Sequence, residues 1–573
     1  MNIIKKYYAP ILALLLCFWA VKSLFNPGFF PIHDNEQVAR LFDLDQALKF
    51  GHIPPRIAPN LGFGYGYPFF NFYPPFAYYV AEVFKIIGFS YIESVKLMIG
   101  MGFVFGSFFM YLLSKEFFGK LGGLISAAFY TYAPYHAVDV YVRGAFPEFW
   151  SMVFLPAIFW SFYRLKQSYR WRFFIFSIIF TSSLILTHNL VMVMAIPFIS
   201  AWIIFLTLNS KKKKKFLLTS FASLVFSFLV TSYFWIPSFL EKQYTMVDLL
   251  TTELANYGQH FVYIRQFWNS PWGYGGSIYG LHDGLSFEVG KVHLILSALA
   301  CFMAVKFFLA RKTKMIGAIM LTFLAFLLLS IFMASFHSKF IWDKIEFLWY
   351  IQFPWRFIIF ATLFSSLLAG SLSLIPLAGK IKIALVAVAI SVLVGLNMNY
   401  FMPSKFFDSV KDSDYISQEK IRWDASIIAA EYVPKGIATR KSDINTTVID
   451  IDKKDIAKKS FEVISGDMKV TQIQDFPHQK KYMTSSNKES ILRINTYSFP
   501  GWKVYVDEKE VSYSDNNKFK LITLSPLVGS HAIVAKFTDT KVRFWGNWIS
   551  LITITTLIIF SLLNIIRSYT RKG

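Results

Sequence analysis

PIHDNEQVARLFDLDQALKFGHIPPRIAPNLGFGYGYPFFNFYPPFAYY, residues 31–79, follows the first apolar segment of the chain, and its reading sets the membrane topology of everything after it. It opens with a polar run holding His33, Asp34 and Glu36, continues in a helical pattern, and ends in an aromatic Gly/Pro-rich segment. Between Glu36 and Phe50, the residues Val38, Leu41, Phe42 and Leu48 share one helical face, with Gln37, Arg40, Asp43 and Lys49 opposite. That pattern predicts a helix lying on a membrane rather than crossing it. Residues 74–88 are apolar but carry Glu82 and Lys85, and at about fifteen residues they fall short of the roughly 20 that a span needs. They read as a second surface helix.

Composition puts this loop in a membrane protein. The chain has 573 residues, 55% of them hydrophobic and 19% aromatic, more apolar surface than soluble cores could bury. A formal charge of +23 in a soluble domain would point to nucleic acid. Here much of the excess sits in short loops between apolar segments, where Lys and Arg mark the cytoplasmic side, so no nucleic-acid partner is expected. Cys17 and Cys301 both fall inside predicted spans, which leaves neither a disulfide framework nor a Cys-based metal site. Lys5 and Lys6 precede an apolar run without a small-residue cleavage site, so residues 8–25 read as an uncleaved first span.

With 74–88 kept out of the membrane, spans two and three are 94–113 and 121–135, and span four is 149–163. Lys115 and Lys120 then lie inside with Arg164, Lys166, Arg170 and Arg172, while Asp139, Arg143 and Glu148 lie outside. The apolar stretch 172–208 has basic residues at both ends, so it forms a hairpin whose polar break, Thr187-His188-Asn189, sits near the outer face. Spans seven to eleven are 216–235, 291–309, 315–334, 356–377 and 383–401, and span twelve is 545–566. Roughly twenty basic residues fall on the inner side with Glu116 as the only acid there, an asymmetry that a span at 74–88 would destroy. Residues 1–401 are thus the transmembrane domain, with a first outer loop 26–93, and 545–573 the last span and its tail. Both termini are expected in the cytoplasm.

Residues 402–544 carry the alternation and turn signals of β structure in INTTVIDID, SFEVISG, ILRINTYSFPGWKVYVDEKEVSY, FKLITLSP and HAIVAKFTD. WKVYV and EVSY, joined around Asp507 to Lys509, read as a hairpin. The expected fold class is an α-helical polytopic membrane protein of about 12 spans with a C-terminal extracytoplasmic domain resembling a β-sandwich.

Intact P-loop, dinucleotide and H-E-x-x-H motifs are absent. The candidate site is a set of outer-face polar residues: His33, Asp34, Glu36, Asp139, Arg143, Glu148, His188, His282, Asp283 and Arg356. Carboxylates from separate loops beside cationic groups suit a reaction that deprotonates a hydroxyl and expels a phosphate leaving group. Local readings stand beside this one. Asp34 and Gln37 fit a capping box, Asp139, Arg143 and Glu148 a solvated loop, His188-Asn189 a tight turn, and His282-Asp283-Gly284 another. Arg356 could snorkel to the interface. The aromatics of GYGYPFFNFYPP anchor at the interface, and are also suited to stacking on sugar faces.

HDNEQVARLFDLDQALKFGHIPPR, GFGYGYPFFNFYPPFAYYVAEVFKIIG and YVRGAFPEFW resemble the GT-C superfamily of membrane glycosyltransferases. The resemblance is nearest to its branch of 6-pyruvoyl-tetrahydropterin synthase-related membrane proteins, and SFPGWKVYVDEKEV resembles the outer domain of YfhO-like membrane proteins. It implies transfer of a sugar from a polyprenyl-phosphate donor to a glycan, lipid or protein acceptor, with inversion, at the extracytoplasmic face of the cytoplasmic membrane. Asp34 matches the early acidic residue, the general base, and Asp139 or Glu148 the acid of the second loop. A divalent metal, Mg2+ or Mn2+, would fall to Asp34 and Asp139, although the second loop lacks a strict D-x-D or E-x-D. Arg143 and Arg356 would hold the carrier phosphate. The rival readings are a transporter or flippase for polyprenyl-linked glycans, which predicts charges lining a path through the spans, and a non-catalytic accessory protein with the same fold.

Overall fold

The computed structural model describes residues 10–251, 256–427, 431–442 and 446–570. The basic N-terminal residues Lys5 and Lys6, the start of the first span, Ile444 and Asn445 of INTTVIDID, and the terminal Arg571 and Lys572 lie outside the described residues.

The membrane part is built from α1 (Pro10–Phe25), α2 (Gln37–Lys49), α3 (Phe76–Ile86), α4 (Tyr91–Thr131), α5 (Phe146–Ser168), α6 (Trp171–Thr187) and α7 (Asn189–Leu208). It continues with α8 (Lys213–Val230), α9 (Ser232–Leu240), α10 (Lys291–Leu309), α11 (Lys314–Ala334), α12 (Pro354–Leu374), α13 (Gly379–Tyr400) and, after the β domain, α14 (Lys541–Thr570). Among the described residues, 7 helices are long and apolar enough to cross a membrane, or 8 with α8 and α9, bent by 70°, taken as one span. The other expected spans fall on the shorter apolar helices α1 and α6, on α5, and on a second pass within α4.

α4 consists of two helical passes that meet at Gly119, whose φ of 71° and ψ of −174° are non-helical. Ser114 donates to the carbonyl of Gly122 and lies 2.8 Å from the Ser126 hydroxyl. In one straight helix Ser114 and Ser126 would stand about 18 Å apart, so the chain reverses, at Gly119. This helical hairpin corresponds to expected spans two and three. α12 runs through the centre of the bundle, 94% of its apolar window being buried.

The bundle's ends sort the polar residues. Arg164 pairs with Glu116 at 3.2 Å, and Tyr169 donates to the carbonyl of Lys212, so these loops share one end. The loops carrying Asp34, Asp139, Glu148 and Arg356 meet one another at a different place, described below.

Beyond α13 come β1 (Thr439–Lys441), β2 (Thr447–Ile449), β3 (Phe461–Ser465), β4 (Lys469–Phe476), β5 (Gln479–Tyr497), β6 (Trp502–Val506), β7 (Lys509–Val511), β8 (Tyr513–Ser514), β9 (Leu521–Leu524) and β10 (Leu527–Phe537). β1 and β2 form a separate pair, and every pairing is antiparallel. The long β5 joins two sheets: its first half lies between β4 and β10, and its second half pairs with β3 and β9. Val506 pairs with Lys509, leaving Asp507 and Glu508 as a two-residue turn with φ of 47° and 67°, the primed geometry that suits a hairpin.

α2 forms where the apolar periodicity placed it, yet most of its polar face does not meet water, Lys49 at its end being the exception. Gln37, Arg40 and Asp43 are as buried as Val38 and Leu41. Asp43 accepts from the amide and side chain of Asn60 and from the amide of Leu61, and Arg40 is paired within its own segment to Glu36. The aromatic segment after α2 supplies the cover: Tyr65 packs on Tyr497 and Phe519, and Phe72 stacks on Tyr432. These rings dock the loop onto the chain beyond α13.

Candidate functional site

The second acidic loop is a π-helical turn, Val138–Arg143, closed by Gly144. Its i,i+4 spacing sets Asp139 and Arg143 on one side, and they pair at 2.5 Å. Gly144 has φ +68°, and a Cβ there would stand 2.4 Å from Ile32, so a glycine lets the first loop close onto the second. Gln37 donates across this contact to the Gly144 carbonyl at 2.7 Å.

α5 begins just after, and its first turn carries Glu148 inward. One oxygen of Glu148 accepts from Arg143 at 3.0 Å and from Arg356 Nε at 3.1 Å, and the other from the Tyr135 hydroxyl at 2.6 Å. Arg356, at the head of α12, also donates to the carbonyl of Ile351 and to Gln352. Trp355 and Phe353 cover the two guanidiniums, with Arg143 4.5 Å from the first ring and Arg356 4.9 Å from the second. Removing such charges from water is costly unless they are paired, and here each is. The solvated-loop reading of Asp139, Arg143 and Glu148 is therefore corrected, as is the snorkelling reading of Arg356, because all four side chains are buried in one network. Burial, reinforced by the charge of Glu148, holds the Asp139 carboxyl well above the usual carboxylate range. One Asp139 oxygen is buried without a hydrogen-bond partner.

The first loop lies along this network. The amides of His33 and Asp34 donate to the carbonyls of Val142 at 3.1 Å and Arg143 at 2.9 Å. The Asp34 side chain is half-buried and makes no hydrogen bond or ion pair among the described residues. It does not cap α2, whose N-cap is Glu36 without a side-chain bond, and Gln37 is turned to Gly144 and Tyr78, so the capping-box reading is corrected. Glu36 pairs with Arg40 at 2.5 Å, and the Arg40 guanidinium lies over Phe69 and Tyr73. Burial raises the Glu36 carboxyl to about 7 against the opposing pull of Arg40.

His33 is exposed, with Nε2 3.0 Å from the carbonyl of Tyr274. His188 caps α7 through Nδ1, which accepts from the Val191 amide at 3.3 Å, and it lies within electrostatic reach of Arg356, Glu148 and Arg143. His282 is exposed, and Asp283 fastens its own loop by accepting from Gln266 and the Ile278 amide. Neither bonds to the Glu148 network among the described residues, so these two do not join the site. For a divalent metal, the residues present do not fit: Asp139 gives one oxygen to Arg143, and among the described residues no three His, Cys, Asp or Glu side chains converge.

A second buried network had no signal in the spacing. Glu241, at the end of α9, accepts from Arg543, Thr540 and Asn71, while Arg56 donates to Asn71 and Asn547. It ties the first loop to the start of α14. An acid directly after an apolar helix was the one available clue.

Residues 73–235, less than a third of the chain, match the family model described as dolichyl-phosphate-mannose-protein mannosyltransferase. A protein of Lactococcus lactis subsp. cremoris (strain MG1363), described as uncharacterized, is 26% identical over 208 residues, which cover 35% of this chain and 34% of that protein. Two solved structures are also similar. The arabinofuranosyltransferase AftD from Mycobacteria has a TM-score of 0.43 at 13% identity, over 70% of this chain and 27% of that one. The oligosaccharyltransferase of Archaeoglobus fulgidus, tethered with an acceptor peptide, has 0.42 at 14% identity, over 71% and 57%. The chain thus spans about a third of the curated relative and less than two thirds of either solved chain. The apolar helices indicate a multi-pass membrane protein, and the family likeness is confined to residues 73–235.

Proposed function

We propose that this protein is a membrane glycosyltransferase that moves a sugar from a polyprenyl-phosphate donor to an acceptor hydroxyl at the extracytoplasmic face. The observation that carries the reading is a contrast between adjacent segments: Glu148 is shared by Arg143 and Arg356, whereas Asp34, whose amide is bonded to the Arg143 carbonyl, has an unpaired side chain that reaches solvent. A group left free by its neighbours is available to a substrate.

In the proposed reaction Asp34 accepts the proton of the acceptor hydroxyl as its oxygen attacks the anomeric carbon. The bond from that carbon to the phosphate oxygen breaks, and the lipid phosphate leaves with the electron pair and needs no proton. Direct displacement inverts the anomeric centre. Arg143 and Arg356 bring two guanidiniums to the site beside Glu148, and guanidiniums are the groups that would meet the leaving phosphate. Arg143 and Arg356 keep 10% and 9% of their side chains exposed, the faces through which an anion would be met. No step runs through a metal. The count of about 12 spans, the cytoplasmic termini and the branch of the superfamily belong to the same proposal.

Mass spectrometry of surface glycans and lipid-linked sugars in a strain carrying Asp34→Asn tests the reading. Loss of one glycan with accumulation of its lipid-linked donor is the expected result, and an unchanged glycan profile with normal protein levels overturns it.

A further inference from the structure

Away from the Asp34 site, the first loop and the β domain enclose a cleft of ≈180 Å³ that the proposed transfer does not use. Its walls carry the rings of Tyr65, Phe476 and Trp502 together with Arg422, Lys459 and Thr496. Gln46, in the last turn of α2, also lines it, so about 14 Å of helix, at 1.5 Å per residue, separates it from Gln37 at the Asp34 end.

Three groups in this cleft are left over by the fold. Thr496 is 2% exposed, and its hydroxyl has no hydrogen-bond partner. Arg422 spends one guanidinium nitrogen on the Ala457 carbonyl, while its Nε is buried and unpartnered. Neither Arg422 nor Lys459 has an ion pair among the described residues, whereas Asp475, the acid lining the cleft, is taken by Lys480. An unsatisfied buried donor is expensive to keep, and such groups mark where a ligand completes the bonding. The aromatic Gly-rich segment builds the opening: Gly64, at φ +80°, lets the Arg422 side chain cross its Cα, where a Cβ would meet Cδ at 2.7 Å and Nε at 2.8 Å.

We infer that this cleft binds one acidic residue of the acceptor glycan, its ring against Trp502 and Tyr65, its anionic group on Arg422 and Lys459, and a ring hydroxyl on Thr496. Aromatic walls present faces to a sugar ring, and a guanidinium matches a carboxylate in two parallel bonds. The cleft is smaller than a site for a drug-sized ligand, so it takes one unit of a chain and not a whole oligosaccharide. The inference rests on the proposed transfer for the word acceptor and on the cleft alone for the binding.

The test uses the full chain in nanodiscs with a tetrasaccharide alternating glucuronate and N-acetylglucosamine, and with chitotetraose as the neutral counterpart, read by calorimetry. The acidic tetrasaccharide is expected to bind and the neutral one to bind at least roughly ten-fold more weakly. Arg422→Gln, Lys459→Gln and Thr496→Val should each weaken binding about ten-fold, the worth of one charge-assisted or buried hydrogen bond. Lys459 is exposed, so its variant keeps the fold and controls for misfolding in the other two. No binding, equal binding of the neutral sugar, unchanged binding by the Lys459 variant, or displacement of the saccharide by an equal concentration of inorganic phosphate would each overturn the inference. Asp34→Asn should leave binding in the cleft intact. Loss of transfer with retained binding keeps both readings, absence of binding sinks only this one, and transfer undisturbed by Asp34→Asn sinks only the catalytic one.

Discussion

The amide of Asp34 donates to the carbonyl of Arg143 at 2.9 Å, while the side chains of the same two residues have opposite fates, one free and one buried in ion pairs. A backbone bond thus ties the segment that carries Asp34 to the loop that carries Arg143.

Asp34→Asn should lower transfer by roughly 100-fold or more, the usual worth of a general base. Since Asp34 has no side-chain partner among the described residues, stability should change by less than about 0.5 kcal/mol. An in vitro transfer assay with a thermal melt of the same sample measures both.

Glu148→Ala should destabilise the protein by about 3–5 kcal/mol, because Arg143 and Arg356 would be left buried without their shared acid. Glu148→Gln keeps an acceptor oxygen and should cost less. Melting temperatures in nanodiscs rank the two, and an alanine variant as stable as the wild type would contradict the pairing.

Burial raises the Asp43 carboxyl to about 7, outweighing the Asn60 and Leu61 bonds that lower it. Between the unfolded pKa and about 7 the folded state holds the extra proton, so stability is greatest at low pH and falls as pH rises through that window. The Asp43 share of the slope should approach about 1.4 kcal/mol per pH unit and vanish above the window. Asp43→Asn should make the slope shallower by that share in melts taken from pH 5 to pH 8, the part due to Glu36 remaining.

Gly64→Ala should push Arg422 out of the interdomain cleft and place a side chain at φ +80°. A loss of about 1–2 kcal/mol is expected from the backbone alone. Partial proteolysis, reading the release of the β domain, and a melt check it.

Asn35 and Lys213 are both exposed, at places the charge count assigns to opposite sides. In a Cys301→Ser background, Asn35→Cys should react with an impermeant maleimide added to intact cells, and Lys213→Cys only after lysis. The reverse result would place the Asp34 site in the cytosol and end the proposed reaction.

Much of the architecture was legible because it is local. The period of Val38, Leu41 and Leu48 gave α2, the shortness of 74–88 gave α3, and the basic clusters located the helix ends. What that pattern could not supply was the surroundings. Arg40 and Asp43 read as a wet face and proved buried, since the cover comes from Phe69, Tyr73 and Asn60, on a loop whose fold depends on left-handed positions. His282 and Asp283 looked like candidates by residue type, yet Asp283 is used up within its own loop.

The amino-acid sequence alone determined that this chain is membrane-embedded, that α2 and α3 are separate short helices, and that the chain beyond α13 is β-rich, because hydropathy and turn chemistry act over a few residues. Only the tertiary structure decided that Glu148 is shared between Arg143 and Arg356, 208 positions from the latter, and that Asp34 is spared. Pairing at that separation depends on how the helices pack, and packing is set by the whole bundle at once.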